Sequence, residues 1–240
     1  MRAIVMLYGV VCYFIFFGVF LYLIAFVGDI FVPKTVSSGV AAGASNALVI
    51  NIGLMLLWGI QHTVMARSGF KKAIAKMVPK HTERSTYVLL SSVVLIVMFH
   101  YWQPMEGIIW QVQNPLAQQV LWVLFGLGWG LVLLSTLLTN HFDLFGLRQT
   151  WLHFQKQSYT SVVFTEKLFY GTIRHPMMLG LLIAFWAAPM MTMSHLVFSV
   201  GMSFYIVVGI YFEEKGLTET IGQQYTEYQK RTSKVIPKVY

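Results

Sequence analysis

Five stretches of this chain run about as long as a membrane is wide without one charged residue. Residues 3–27, 46–66, 86–103, 119–139 and 177–212 contain no Asp, Glu, Lys or Arg. A helix needs about 20 consecutive apolar residues to cross the hydrocarbon core. The first four segments fit that length. The fifth is too long for one crossing, and Pro189 followed by Thr192-Met193-Ser194-His195 marks a turn within it. None of these runs alternates apolar with polar residues as barrel strands do. The expected fold class is therefore all-α: a polytopic integral membrane bundle of about six helices, ending in a helical hairpin and a cytoplasmic tail. The chain is 11% charged, against about 25% in soluble domains.

Charge between the spans sets their direction, because loops rich in Lys and Arg stay in the cytoplasm. Residues 67–85 hold Arg67, Lys71, Lys72, Lys76, Lys80 and Arg84 against Glu83 alone. Residues 104–118 hold Glu106 and no basic residue. The pattern places both termini, 67–85 and 140–176 inside, with 28–45, 104–118 and 190–195 outside. This divides a single membrane domain (1–240) into four N-terminal spans (1–139), a cytoplasmic segment (140–176), a hairpin (177–212) and a tail (213–240). The first span is longer than a signal-peptide core, and Gly28-Asp29 is no cleavage site, so it is kept as a helix. The net charge of +8 lies in loops and tail and reads as topology, with no nucleic-acid module. The lone cysteine, Cys12, leaves no intramolecular disulfide and no Cys-based metal site, and it reads as a packed thiol.

One polar stretch interrupts this pattern with unusual chemistry. In Tyr170-Gly171-Thr172-Ile173-Arg174-His175-Pro176, the proline suits the first helical position. Arg174 and His175 then sit at a helix entrance, where unpaired N–H groups favour an anion. The apolar run that follows closes on Glu213-Glu214, and one fold-back returns this acidic pair to the same face. Other polar residues gather at that depth: Gln61-His62, Glu83-Arg84, and the run from Asn140 through Asp143 and Arg148 to Gln149. Ionisable residues at membrane depth are costly and mark functional sites. Each also has a plain structural reading: His62 as an interfacial histidine, Glu83-Arg84 as a helix start paired with itself, Asp143–Arg148 as a local ion pair. His100 and His195 fall at the outer face and are read as structural.

The motif Gly171-x-x-Arg174-His175-Pro176-x-x-x-Gly180, a hairpin, Glu213-Glu214, Gly222-x-x-Tyr225-x-x-Tyr228 and Val235-Ile236-Pro237 resembles the isoprenylcysteine carboxyl methyltransferase superfamily, which includes membrane phospholipid methyltransferases. Met178 departs from the pattern, where an aromatic residue commonly stands, and this chain has more N-terminal helices than the minimal fold. Upstream, Gln61-His62-Thr63-x-Met65-Ala66-Arg67, Glu83-Arg84-Ser85-Thr86-Tyr87-Val88 and His141-Phe142-Asp143-Leu144-Phe145-Gly146-Leu147-Arg148-Gln149 are similar to the bacterial methanethiol S-methyltransferases, relatives of NnrU-type membrane proteins. The matches cover most of residues 60–240.

This resemblance implies an enzyme: S-adenosylmethionine as methyl donor, a small volatile thiol as acceptor, dimethyl sulfide as product, and a place in a bacterial inner membrane. No metal and no obligate protein partner are expected. It assigns the cofactor to Tyr170, Gly171, Arg174, His175, Pro176, Leu179, Glu213, Glu214 and Tyr225. Arg174 with the helix N-terminus would take the methionyl carboxylate, or His175 would orient it. Glu213 or Glu214 would take the ammonium or the ribose, and Tyr170 and Tyr225 would flank adenine. His62, Arg84, Asp143 and Gln149 fall on the acceptor side. His62 would accept the thiol proton, or Arg84 or a water would do so instead; Arg84 would stabilise the thiolate, and Asp143 would orient a partner. Three other readings fit the residues: a larger lipidic, amine or carboxylate acceptor, an NnrU-like protein that binds without methylating, and a b-type haem anchor using His62 and His141.

Overall fold

A computed structural model describes residues 1–40, 43–161 and 166–237. The loop 28–45, the segment 140–176 and the tail 213–240 therefore each contain residues (41–42, 162–165 and 238–240) that lie outside the described ones. The helices are α1 (Arg2–Gly28), α2 (Ala44–Ala66), α3 (Ser68–Ile74), α4 (Lys80–Tyr101), α5 (Pro115–Leu138), α6 (His141–Leu144), α7 (Leu147–Phe154), α8 (Pro176–Trp186), α9 (Met193–Ile221) and α10 (Gln223–Arg231). Two short strands, β1 (Ile108–Gln111) and β2 (Met190–Thr192), and a 3-10 turn (Leu168–Gly171) complete the described elements. Helices α1, α2, α4, α5 and α9 are long and apolar enough to cross a membrane. Large apolar side chains along them, such as Phe14, Val49, Leu127 and Phe204, are exposed on the protein surface, as lipid-facing residues are. The chain is a polytopic helical membrane protein. It divides into two compact units, residues 1–106 with 140–163, and residues 107–139 with 164–240.

In the first unit, α1 packs on α4 and α7, and α2 packs on α4. Without a water-driven hydrophobic effect between spans, close contact and side-chain hydrogen bonds hold such helices together. Tyr8 on α1 bonds Thr86 on α4 at 2.9 Å, and Gly9 lets Thr150 of α7 lie directly against the α1 backbone. At the opposite end, Asn51 makes a two-way bond to the backbone of Gln103, at 2.7 and 2.8 Å. Trp102 donates to the Val36 carbonyl at 3.0 Å, so the loop after α1 is pinned to the end of α4.

In the second unit, α5 and α8 touch backbone to backbone. A Cβ on Gly128 would stand 2.7 Å from the Gly180 carbonyl oxygen, and one on Gly180 2.6 Å from that of Gly128. β1 and β2 pair antiparallel, with Trp110 opposite Met191, which sets the segment before α5 beside the turn between α8 and α9. Helix α8 has 11 residues, about 16 Å at about 1.5 Å per residue, short of the roughly 30 Å hydrocarbon core. Its open C-terminal carbonyl at Phe185 accepts from His195 at 3.0 Å and Ser199 at 2.7 Å. His195 thus closes a helix end, which agrees with its structural reading.

Two boundaries and one pairing differ from the sequence reading. Helix α4 begins at Lys80, so Glu83 and Arg84 belong to its first turns and not to a loop. Glu83 pairs with Lys71 at 2.9 Å, which removes the pairing of Glu83 with Arg84. Glu213 and Glu214 lie inside α9, which continues to Ile221, because a helix satisfies its own backbone hydrogen bonds and can run on past the apolar layer.

Candidate functional site

The second unit builds its polar cluster where the chain enters α8. After the 3-10 turn Ile173 bridges to the tail, the backbone bends at Arg174, and Pro176 then starts the helix. The tail runs parallel to this entrance. The amides of Arg174 and His175 donate to the carbonyls of Ser233 at 2.8 Å and Lys234 at 3.1 Å, and Ile173 forms a parallel bridge with Ser233. Arg174 is 8% and His175 5% exposed. Arg174 Nε donates to Glu214 Oε1 at 2.6 Å. Its Nη1 donates to the carbonyls of Gln229, at 3.0 Å, and Thr232. His175 lies between both acidic residues, with Nε2 3.2 Å from Glu214 Oε1 and Nδ1 3.6 Å from Glu213 Oε2. A neutral imidazole has one N–H and donates to only one of them.

The acidic residues differ in access. The Glu214 side chain is 10% exposed and Glu213 47%. Lys234, half-exposed, stands 3.6 Å from Glu214 Oε2. Tyr228 donates to the Tyr170 carbonyl at 2.6 Å, and Arg231 pairs with Glu166. Burial, then the charge of Glu213, pushes the Tyr170 phenol up to about 12. Burial, then Glu166, does the same for Tyr228, to about 12. Burial and the two glutamates raise Tyr225 further. These phenols therefore stay neutral hydrogen-bonding groups at physiological pH.

Arg174, His175, Glu213, Glu214, Tyr170 and Tyr225 thus meet around one entrance, with Gly171, Pro176 and Leu179 forming its backbone. The Leu179 amide closes the first turn on the His175 carbonyl at 3.1 Å. Arg174 differs from its expected role, since its Nε and Nη1 are spent on Glu214 and the tail. Glu213 and Lys234 are the accessible anion and cation. Lys234 escaped the sequence reading, although its place two residues before Ile236-Pro237 in the tail motif was a usable signal.

The first unit builds a second cluster from α2, α4, α6 and α7. His62 is boxed by aromatic groups, with the Trp58 ring stacked on it at 4.7 Å and 18°. The Tyr87 hydroxyl lies 3.0 Å from His62 Nδ1 and 2.9 Å from Nε2. Ser91 Oγ lies 3.3 Å from Nδ1. Arg84 lays its guanidinium over the Tyr87 ring, 5.0 Å from the centroid, and donates from Nε to the Leu144 carbonyl at 2.6 Å. That carbonyl belongs to α6, a single turn capped by Asn140. Gly146, at φ +89°, then turns the chain into α7, where a Cβ would lie 2.5 Å from the Ser85 amide nitrogen.

Asp143 accepts from Arg148 Nη1 at 2.7 Å and from Tyr159 at 3.2 Å. Arg148 also holds Thr160, at 2.8 and 2.7 Å, so this ion pair fastens the segment after α7. Gln149 Nε2 donates to the Asp143 carbonyl at 3.0 Å, while its buried Oε1 has no hydrogen-bond partner among the described residues. The four predicted residues are therefore linked through Tyr87 and α6. Tyr87 and Trp58 were missed as site residues, though Tyr87 stands one helical turn after Arg84. His141 bonds Tyr13 at 2.9 Å and has Phe142 and Phe145 edge-on to its ring. Burial lowers its pKa.

The fold and the two clusters define a multi-pass helical membrane protein with buried ionisable groups in each unit. Residues 50–239 match the family described as NnrU protein, and the chain belongs to that family. It is 45% identical over 236 residues to the methanethiol S-methyltransferase of Mycobacterium tuberculosis, covering 98% of this chain and 97% of that one. The protein of that name from Pseudomonas deceptionensis is 46% identical over 211 residues, 88% of this chain and 80% of its own. Nurim of Xenopus laevis is 27% identical over 167 residues, 65% of this chain and 58% of its own. No solved structure matches the chain.

Proposed function

We propose that this protein is an S-adenosylmethionine-dependent methyltransferase of the bacterial inner membrane that converts methanethiol to dimethyl sulfide. The observation that carries the reading is the similarity to proteins named for that reaction along nearly all of both chains. The basic loop 67–85 supports cytoplasmic termini.

The reaction is an in-line displacement at carbon. A thiolate lone pair forms the new C–S bond as the methyl–sulfonium bond breaks. Two neutral thioethers result, dimethyl sulfide and S-adenosylhomocysteine, and the thiol proton passes to a base. Alignment of the reactants supplies roughly 7–11 kcal/mol of such a barrier. The thiolate is the reactive form.

The groups at the α8 entrance fit the donor. Glu213 is exposed enough to take an ammonium or ribose hydroxyls, Lys234 and His175 offer positive or N–H partners for a carboxylate, and neutral Tyr170 and Tyr225 offer flat apolar faces. Arg174 contributes by holding Glu214 and the tail in place. On the acceptor side, His62 takes the thiol proton and Arg84 stabilises the thiolate, since no acidic side chain is paired with it among the described residues. Asp143 orients Arg148, and its carbonyl orients Gln149.

The test is headspace gas chromatography of purified protein in detergent or liposomes, given S-adenosylmethionine and methanethiol. Dimethyl sulfide and S-adenosylhomocysteine should form in equal amounts. No dimethyl sulfide above a protein-free control refutes the reading, and turnover of an amine or carboxylate instead would move it to another acceptor.

A further inference from the structure

We propose that Tyr87 is a positioning residue that holds both His62 and Arg84 in their working arrangement. This rests on the reading that His62 accepts the thiol proton. One face of α4 carries Arg84, Tyr87 and Ser91 at helical spacings of three and four, so all three point the same way. His62, from α2, meets that face. The Tyr87 side chain is buried, which removes water as a competing partner. Its hydroxyl lies within 3.0 Å of both His62 ring nitrogens and donates to the His62 carbonyl at 3.3 Å. Its ring lies under Arg84 at 5.0 Å.

A buried tyrosine usually finds some hydrogen-bond partner, so a satisfied core tyrosine is the plain alternative. Two features go beyond it. The partner is an imidazole contacted at both nitrogens, and the same side chain supports a second charged group through its ring face. A phenol both donates and accepts, so it can stay bonded to His62 whether the facing nitrogen bears a proton or a lone pair. Proton uptake by His62 then requires no change of partner, and Trp58, stacked on the ring, keeps the imidazole plane fixed meanwhile. Arg84 gains a cation–π contact and stays near the imidazole.

The experiment separates hydroxyl from ring. Tyr87→Phe keeps the ring under Arg84 and removes the hydroxyl, whereas Tyr87→Leu removes both. Tyr87→Phe should lower kcat about tenfold or more, within the range of acid–base contributions, with the KM for S-adenosylmethionine unchanged and an intact circular dichroism spectrum. Added to His62→Gln it should cost little more, because the hydroxyl acts through that ring. An independent readout is the imidazole nitrogen spectrum of ¹⁵N-histidine-labelled protein in micelles, where the His62 signals are those lost in His62→Gln. They should shift in Tyr87→Phe. Unshifted signals overturn the proposal whatever the rate, and shifted signals with wild-type kcat overturn its catalytic relevance. If wild-type protein makes no dimethyl sulfide, the functional reading falls, and the nitrogen spectrum still decides whether Tyr87 positions His62.

Discussion

Arg174→Ala tests whether the tail strap is held by one buried ion pair. Glu214 would keep His175 at 3.2 Å and Lys234 at 3.6 Å but lose its closest charge, at 2.6 Å. The carbonyls of Gln229 and Thr232 would lose their donor. Breaking a buried pair by removing one partner costs about 3–5 kcal/mol. The remaining His175 and Lys234 argue for the lower end, about 3 kcal/mol. That cost falls on local opening of residues 232–234 away from 173–175, because these hydrogen bonds join the strap to the α8 entrance. A factor of ten corresponds to about 1.4 kcal/mol, so the amides at positions 174 and 175 should exchange with solvent about 100-fold faster. Hydrogen exchange with mass spectrometry on peptides covering 168–180 and 223–237 reads this directly. Removing the exposed Arg231–Glu166 pair is the internal control, with an expected change of about 0–1 kcal/mol. If Arg174→Ala leaves the exchange of 174 and 175 within threefold of wild type, the guanidinium is not what fastens the tail. The residue would then be available for a ligand carboxylate, its role as expected from the sequence.

Other outcomes follow from separate features. Tyr170 and Tyr228 are pushed up to about 12, above the ordinary value near 10. Below about pH 10 both states keep the proton; as pH rises from there toward 12 only the unfolded chain releases it, so stability falls in that window. Melting curves should show this, and Tyr228→Phe should lose less over the window. Gly128→Ala or Gly180→Ala places a methyl group against a backbone carbonyl that cannot swing aside, and α5 and α8 must part at a cost of about 1–3 kcal/mol. A melting temperature unchanged in detergent would contradict that contact. Gln149→Met removes a buried oxygen without a partner among the described residues along with one hydrogen bond. Stability should change by less than about 1 kcal/mol, whereas methylation should drop if that oxygen serves the substrate.

Much of the fold was legible because membrane spans are written in composition. The uncharged runs match α1, α2, α4 and α5 closely. Boundaries in polar sequence were not legible. Lys80 to Ser85 reads as loop by charge, yet it is helix, because a helix can leave the apolar layer without ending. For the same reason Glu213-Glu214 looked like the end of a hairpin and lies inside α9, about two turns before its end. That these polar residues gather into clusters was legible from the rarity of charge at membrane depth, but partnership was not. Arg174 and Lys234 are both basic and both near Glu214, and only the backbone path of the tail decides which one is buried. Tyr87 was hidden for a related reason: among 12 tyrosines, nothing in sequence marks the one whose hydroxyl meets a histidine.

The distribution of partners sharpens how the polar residues divide their work. A charge whose hydrogen-bonding capacity is filled by the protein orders structure and has little left for a ligand. Asp143 with Arg148 and Glu214 with Arg174 are of this kind: each ion pair also anchors a loop or tail, through Thr160 in one case and Thr232 in the other. Glu213, Lys234 and Arg84 are not filled in this way. Glu213 meets His175 only at 3.6 Å, and Arg84 spends Nε on a carbonyl and its face on Tyr87. These three retain capacity for groups brought by a substrate. The sequence offered Asp143, Glu214, Glu213 and Arg84 with equal claim. The filled pairs should therefore show their loss in exchange and melting before they show it in rate, and Glu213, Lys234 and Arg84 should show the reverse order.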